Sequence, residues 1–261
     1  MAVSNGLIWS ASLVVSVYAL ISISKVFRYY FKFVFFMAAV VFFSTILIPV
    51  MICRTSWSIR LISKMVGVNW QIRGQENVVK NNGAVVVINH QSLVILYVSS
   101  SVLTSAGRSV SFFDGITNIA KKEILYYGTY GFASWLQGTI FIDRANSGKA
   151  VETLNKLLST SLKLTMFPEG TRNSGKELLP FKKGAFHVAI ASQLPIQPIV
   201  IAKYPFLDAK THTFGSGTSS VEILPPISTA GLTKADMDQL IERTRSTMND
   251  AYQRLSNEYH L

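Results

Sequence analysis

The residues equipped for chemistry begin at one histidine. His90 stands in Asn89-His90-Gln91-Ser92, directly after five small or β-branched apolar residues, Ala84 to Ile88. That run is too short for a helix, so it reads as a buried strand that ends on the histidine. In open α/β sheets ligands lie in crevices at the carboxyl ends of strands, which makes a histidine delivered there a candidate general base. Imidazole titrates near neutrality and can take the proton of a weak hydroxyl nucleophile. Two other chemistries do not fit. Ser92 is two residues from His90, a spacing that does not face it on a helix, and the chain has no Gly-x-Ser-x-Gly turn, so a serine hydrolase is set aside. His187, His212 and His260 lack metal-ligand spacing, and the single cysteine, Cys53, forms neither an intrachain disulfide nor a cysteine metal site. No metal is expected.

A histidine at a strand end needs a sheet around it. Short apolar runs predict strands at 84–88, 139–143, 163–167, 196–201 and 221–224, and the windows 91–103, 122–136, 149–159 and 183–192 between them are long enough for helices. That alternation predicts an α/β layered domain over residues 65–261. Residues 66–82 turn polar, with Gly67, Gly74, Asn77, Asn81 and Asn82 as breakers, and read as the approach to it. A charged, breaker-free window at 234–257 predicts a last helix with Met237, Leu240, Ile241, Met248, Tyr252 and Leu255 as its buried stripe.

Residues 1–64 are of another kind. The chain of 261 residues is 49% hydrophobic and 15% charged, and no charge occurs before Lys25. Residues 33–53 are uncharged and, as a helix, match a hydrocarbon core of about 30 Å, so they are expected to span or embed in a membrane. The more polar run at 7–23 is open between a second span and one arm of a hairpin in a single leaflet. No positive n-region precedes it, which argues against a cleaved signal peptide. Lys25, Arg28, Lys32, Arg54, Arg60, Lys64 and Arg73 all precede the first acidic residue, Glu76, leaving 18 of the 25 basic side chains against 14 acidic ones in the remainder. Cations flanking apolar runs suit an anionic bilayer surface. They do not have the aromatic-interleaved pattern of a nucleic-acid face, so nucleic acid is not an expected partner.

His90 belongs to the first of four ordered blocks. The others are Ala120-Lys121-Lys122-Glu123-Ile124-Leu125 with Gly138-Thr139-Ile140-Phe141-Ile142-Asp143-Arg144; Phe167-Pro168-Glu169-Gly170-Thr171-Arg172-Asn173; and Leu194-Pro195-Ile196-Gln197-Pro198-Ile199-Val200. Over roughly residues 65 to 245 the chain resembles the 1-acylglycerol-3-phosphate (lysophosphatidic acid) acyltransferases. The resemblance implies a mixed sheet flanked by helices, preceded by N-terminal membrane helices, in the endoplasmic reticulum membrane. It implies transfer of a fatty acyl group from acyl-CoA, the co-substrate, to the 2-hydroxyl of lysophosphatidic acid, giving phosphatidic acid. No further cofactor and no covalent acyl-enzyme is implied, and His90 is the base. An acceptor phosphate calls for fixed cations and backbone N–H groups, which Lys121, Arg144, Gly170, Thr171 and Arg172 are placed to supply. Glu169 is open between orienting Arg172 and binding the acceptor glycerol.

One position departs from the family. Its first block carries an aspartate five residues after the histidine, and this chain has Ile95. A carboxylate there fixes the imidazole tautomer and stabilises the imidazolium; isoleucine does neither. Disabling the corresponding aspartate of a serine protease costs about 10⁴ in turnover, roughly 5 kcal/mol. The readings left open are a catalytically silent lipid-binding protein, a carboxylate borrowed from Asp114, Glu123 or Asp143, and a deliberate or erroneous substitution. Arg144, Glu169, Gly170 and Arg172 are retained, which weighs towards an enzyme.

Overall fold

The computed structural model describes residues 15–46, 65, 67–80, 83–91, 116–136, 139–142, 163–204, 206–208 and 211–258. Its strands are β1 (Val68–Arg73), β2 (Ala84–Ile88), β3 (Ile116–Lys121), β4 (Ile140–Ile142), β5 (Lys163–Met166), β6 (Ile196–Ile201), β7 (Leu207–Asp208), β8 (Thr213–Phe214) and β9 (Gly217–Ile223). Its α-helices are α1 (Lys25–Ile46), α2 (Gly128–Leu136), α3 (Gly184–Ser192) and α4 (Met237–Asn257). Seven strands make one sheet in the order β1-β9-β6-β2-β5-β3-β4, and β7 and β8 form a separate hairpin. Neighbours in the large sheet are parallel except β6 and β9, so the sheet is mixed, as expected.

The uninterrupted apolar run of β2 follows from its central place. A strand covered on both faces has no solvent side on which to alternate. Val85 and Val87 enter a core shared with Phe186 of α3 and Tyr252 and Leu255 of α4. Val86 and Ile88 enter a second core on the opposite face, with Phe36 of α1 and Phe214 of β8. The expected stripe of α4 is buried at Met237, Leu240, Met248, Tyr252 and Leu255, with Ile241 partly buried beside it. A Thr233–Asp236 capping box opens the short 3-10 turn that leads into this helix.

Several boundaries move. The strands expected at 139–143, 163–167 and 221–224 are β4, β5 and the longer β9. The helix expected over 122–136 is a 3-10 turn, Lys122–Tyr126, then α2, separated at Gly128, whose φ of +57° suits glycine. β1 lies inside the polar stretch 66–82: its Val-Asn-Trp-Gln-Ile-Arg alternation is that of an edge strand. Gly67 and Gly74 turn the chain at its ends with φ of +75° and +72°. A Cβ at Gly74 would strike the Ile223 carbonyl of β9. β3 has only two large apolar residues and was not anticipated either. The windows 91–103 and 149–159 lie outside the described residues.

The N-terminal expectation also changes. No helix among the described residues is long and apolar enough to cross a membrane. α1 starts at Lys25, eight positions before the expected span at 33–53, and residues 47–53 lie outside the described residues. Of the charges taken as flanks, Lys25, Arg28 and Lys32 are inside the helical region, and Arg28 and Lys32 bond to protein. Arg28 donates to the Ile21 and Ser22 carbonyls at 2.7 and 2.8 Å, closing the preceding helical stretch 15–23. Lys32 Nζ donates to the Phe214 carbonyl at 2.8 Å. With Phe36 buried at 2% exposure, α1 is packed onto the α/β domain along one side.

Candidate active site

The sheet brings the blocks together before any side chain is considered. β2, β5, β3 and β4 are parallel neighbours, and each is followed at its carboxyl end by one block: Asn89-His90 after β2, Phe167-Pro168-Glu169-Gly170 after β5, Lys122 onward after β3, and residue 143 after β4. Val87 is level with Met166 and Lys121 with Ile142, so these ends share one edge. Lys121 closes β3 on that edge. Arg144 and Ile95 lie outside the described residues, as do Asp114 and Asp143; Glu123 is exposed on the 3-10 turn.

His90 is held from both sides in sequence. Asn89, fully buried, continues the β2–β6 ladder with its side chain: its Nδ2 donates to the Ile201 carbonyl at 3.1 Å and its Oδ1 accepts the Ile201 N–H at 2.8 Å. Gln91 Nε2 donates to the Ile201 and Ala202 carbonyls at 2.8 and 3.0 Å. The His90 N–H donates to Glu169 Oε1 at 2.9 Å, and the His90 carbonyl accepts the Asn173 N–H at 2.7 Å. Phe167 stacks on the imidazole, centroids 4.3 Å apart.

The imidazole so held is neutral at pH 7. Burial, and then the Arg172 guanidinium, lower its pKa to about 4. Its Nε2 is buried with no hydrogen-bond partner among the described residues. A neutral ring with an uncommitted nitrogen can accept a hydroxyl proton.

The turn after β5 divides its labour. Gly170 has φ of +66°, and its N–H donates to the Phe167 carbonyl at 3.1 Å, closing a tight turn that leaves Thr171 and Arg172 exposed. Glu169 is 2% exposed, and both of its oxygens accept hydrogen bonds from the protein. Oε1 accepts the His90 N–H, and Oε2 accepts Asn173 Nδ2 at 3.1 Å and the Leu179 N–H at 3.0 Å. No ion pair joins it to Arg172 among the described residues. It is the bolt between the two loops. Asn173, whose amide also donates to the Glu177 carbonyl at 2.7 Å, completes the bolt. Asn89, Gln91 and Asn173 stand within or beside the quoted blocks, yet sequence gives no sign that they anchor backbone; only the paired strands reveal which carbonyls they meet.

No cluster of three or more histidine, cysteine or carboxylate side chains suitable for a metal occurs among the described residues. His212 packs its ring between Tyr29 and Tyr30 of α1, and His187 is exposed on α3.

Comparison with known proteins defines the class first: the family model described as Acyltransferase matches residues 69–202. The human 1-acyl-sn-glycerol-3-phosphate acyltransferase alpha is 37% identical over 245 residues, 88% of this chain and 83% of that protein. A 1-acyl-sn-glycerol-3-phosphate acyltransferase of Saccharomyces cerevisiae is 37% identical over 193 residues, 71% of this chain and 60% of that one. The crystal structure of the 1-acyl-sn-glycerophosphate (LPA) acyltransferase PlsC from Thermotoga maritima has the same fold. It superposes with a TM-score of 0.57 at 20% identity, over 95% of this chain and 97% of that one. The chain belongs to the 1-acyl-sn-glycerol-3-phosphate acyltransferase family.

Proposed function

We propose that this protein transfers a fatty acyl group from acyl-CoA to the 2-hydroxyl of lysophosphatidic acid, forming phosphatidic acid, with His90 as general base. The observation that carries the reading is a neutral, half-buried imidazole, whose buried Nε2 is unpartnered among the described residues, set beside the Gly170 turn and its exposed Arg172. The imidazole takes the hydroxyl proton as the oxygen attacks the thioester carbon. The C–S bond then breaks, and the departing CoA sulfur takes the proton back from the imidazolium. Each bond made has a bond broken, and no cofactor enters. Arg172, with Lys121 and Arg144, supplies positive charge for the acceptor phosphate.

The proposal places the protein at the endoplasmic reticulum membrane, held by residues 1–64. Supporting it, Tyr30, Phe31, Val34 and Phe35 of α1 and Phe132 and Trp135 of α2 expose large apolar surface. Ile95 favours a second reading, in which the protein keeps the lysophospholipid or acyl-CoA site and no longer turns it over. Transfer from labelled oleoyl-CoA to lysophosphatidic acid separates the two, run beside Ile95→Asp and His90→Ala. An active parent silenced by His90→Ala supports the enzyme. A silent parent awakened by Ile95→Asp supports the binding protein.

A further inference from the structure

Among the exposed lysines the structure singles out one that the four blocks do not contain. Lys182 follows the turn by ten residues, and its own N–H donates to the Pro168 carbonyl at 2.8 Å, which fastens its backbone to the residue before Glu169. Its side chain then lies across Gly170. A Cβ built on that glycine would fall 2.7 Å from both Lys182 Cδ and Cε and 2.8 Å from Nζ. Glycine at 170 is therefore needed twice, for its φ of +66° and for the lysine stem that occupies the space a side chain would fill.

The ammonium so placed is not committed elsewhere. The adjacent Lys183 points away, pairing with Asp238 of α4 at 2.8 Å. Lys182 Nζ has no ion pair or hydrogen bond among the described residues. The carboxylate of the turn itself, Glu169, is buried and takes its hydrogen bonds from His90, Asn173 and Leu179. Arg172 leaves the other end of the turn, exposed and close enough to the imidazole to lower its pKa. One glycine turn thus carries two exposed cations, Lys182 over Gly170 and Arg172 next to the base. A phosphate monoester brings a charge of about −1.5 to −2 at neutral pH, which a single guanidinium does not balance.

We propose that Lys182 is a further phosphate-binding residue of the acceptor site, gripping with Arg172 the phosphate monoester of lysophosphatidic acid across the Gly170 turn. This rests on the acyltransferase reading for its ligand but not for its test. Acyl-CoA also bears phosphates, and the experiment distinguishes the two sources.

Full-length Lys182→Met, Lys182→Arg and Lys183→Met proteins in detergent are compared with the parent. The measurements are KM for lysophosphatidic acid, KM for oleoyl-CoA, and Kd by equilibrium dialysis for lysophosphatidic acid and for its phosphate-free counterpart, monooleoylglycerol. Methionine keeps the apolar stem over Gly170 and removes only the charge. Lys182→Met is expected to raise KM and Kd for lysophosphatidic acid roughly 10-fold or more, the range of one charge-assisted hydrogen bond, and to leave oleoyl-CoA and monooleoylglycerol within about twofold. Lys182→Arg restores most of the affinity, and Lys183→Met matches the parent. An unchanged Kd for lysophosphatidic acid overturns the proposal. A rise confined to oleoyl-CoA also overturns it, by assigning the ammonium to the donor's phosphates. If the parent transfers no acyl group yet binds lysophosphatidic acid through Lys182, the enzyme reading fails and this one stands. If the parent turns over and Lys182→Met changes nothing, the reverse holds.

Discussion

His90 is uncharged at neutral pH, and its surroundings explain why. Desolvation disfavours the imidazolium and Arg172 adds repulsion, so the proton is lost down to about pH 4. The transfer rate of an active parent is therefore expected to stay level from pH 8 to about pH 5.5 and to fall only below that, which a kcat/KM profile in detergent reads directly. An acid limb near the ordinary 6.5 would show that the ring is not held in this environment. Stability follows the same sign. Between 6.5 and about 4 the unfolded chain binds a proton that the folded one refuses, so the contribution of His90 is complete above 6.5 and is lost as pH falls through that window. Two substitutions move the limb upward: Ile95→Asp, if its carboxylate meets the ring, and Arg172→Ala, which removes the repelling charge. Arg172→Ala is also expected to weaken lysophosphatidic acid binding without loss of fold; unchanged binding would count against its phosphate role.

At the scale of elements, the site is a seam between two loops leaving parallel strands, and Glu169 closes it. Glu169→Gln keeps the size but replaces one acceptor by an NH₂ that faces donors. An unsatisfied buried donor costs about 1–3 kcal/mol, so a fall in Tm is expected together with a lower kcat at nearly unchanged KM for both substrates. A raised KM for lysophosphatidic acid alone would instead make Glu169 an acceptor ligand. Asn89→Ala orphans the Ile201 N–H and is expected to cost a similar amount in urea unfolding. What could be read from sequence divides along the same seam. β2 was legible because a strand covered on both faces writes a continuous apolar run, β6 from its Ile196 and Ile199 to Ile201, and α4 because its stripe is periodic. β1 and β3 were not, since an edge strand between glycines and a strand of Thr, Asn and Lys look like linker until a neighbour pairs with them. Motif order singles out His90 and Arg172, which the fold sets near one another, while Arg144 lies outside the described residues. The task of Glu169 was not legible, because its partners are backbone N–H groups that only the folded chain brings near.

For the whole molecule the question is how a lipid acceptor reaches the edge of the sheet that carries the site. The apolar residues that the sequence assigned to a span are partly used otherwise, since Phe36 is buried in the domain core and Arg28 and Lys32 bond to protein carbonyls. The remaining surface is continuous with the site. β3 ends at Lys121 on the active-site edge, and the very next turn exposes Tyr126 and Tyr127, 73% and 64% accessible, followed by Phe132 and Trp135 of α2, which stack at 5.9 Å. α2 in turn packs on α1, whose outer face carries Tyr30, Phe31, Val34 and Phe35. Aromatic side chains favour the headgroup level of a bilayer, so this face is expected to rest there and to present the site edge to acceptor drawn from the membrane. Serine at Tyr126, Tyr127, Phe132 and Trp135 together is then expected to lower binding to vesicles containing anionic lipid and to raise the apparent KM for long-chain lysophosphatidic acid in those vesicles. The rate on a short-chain, water-soluble acceptor should be unchanged, because none of the four residues touches His90 or the Gly170 turn. If both acceptors suffer equally, the face serves the fold rather than the membrane; if neither does, the bilayer contact is made by residues 1–64 alone.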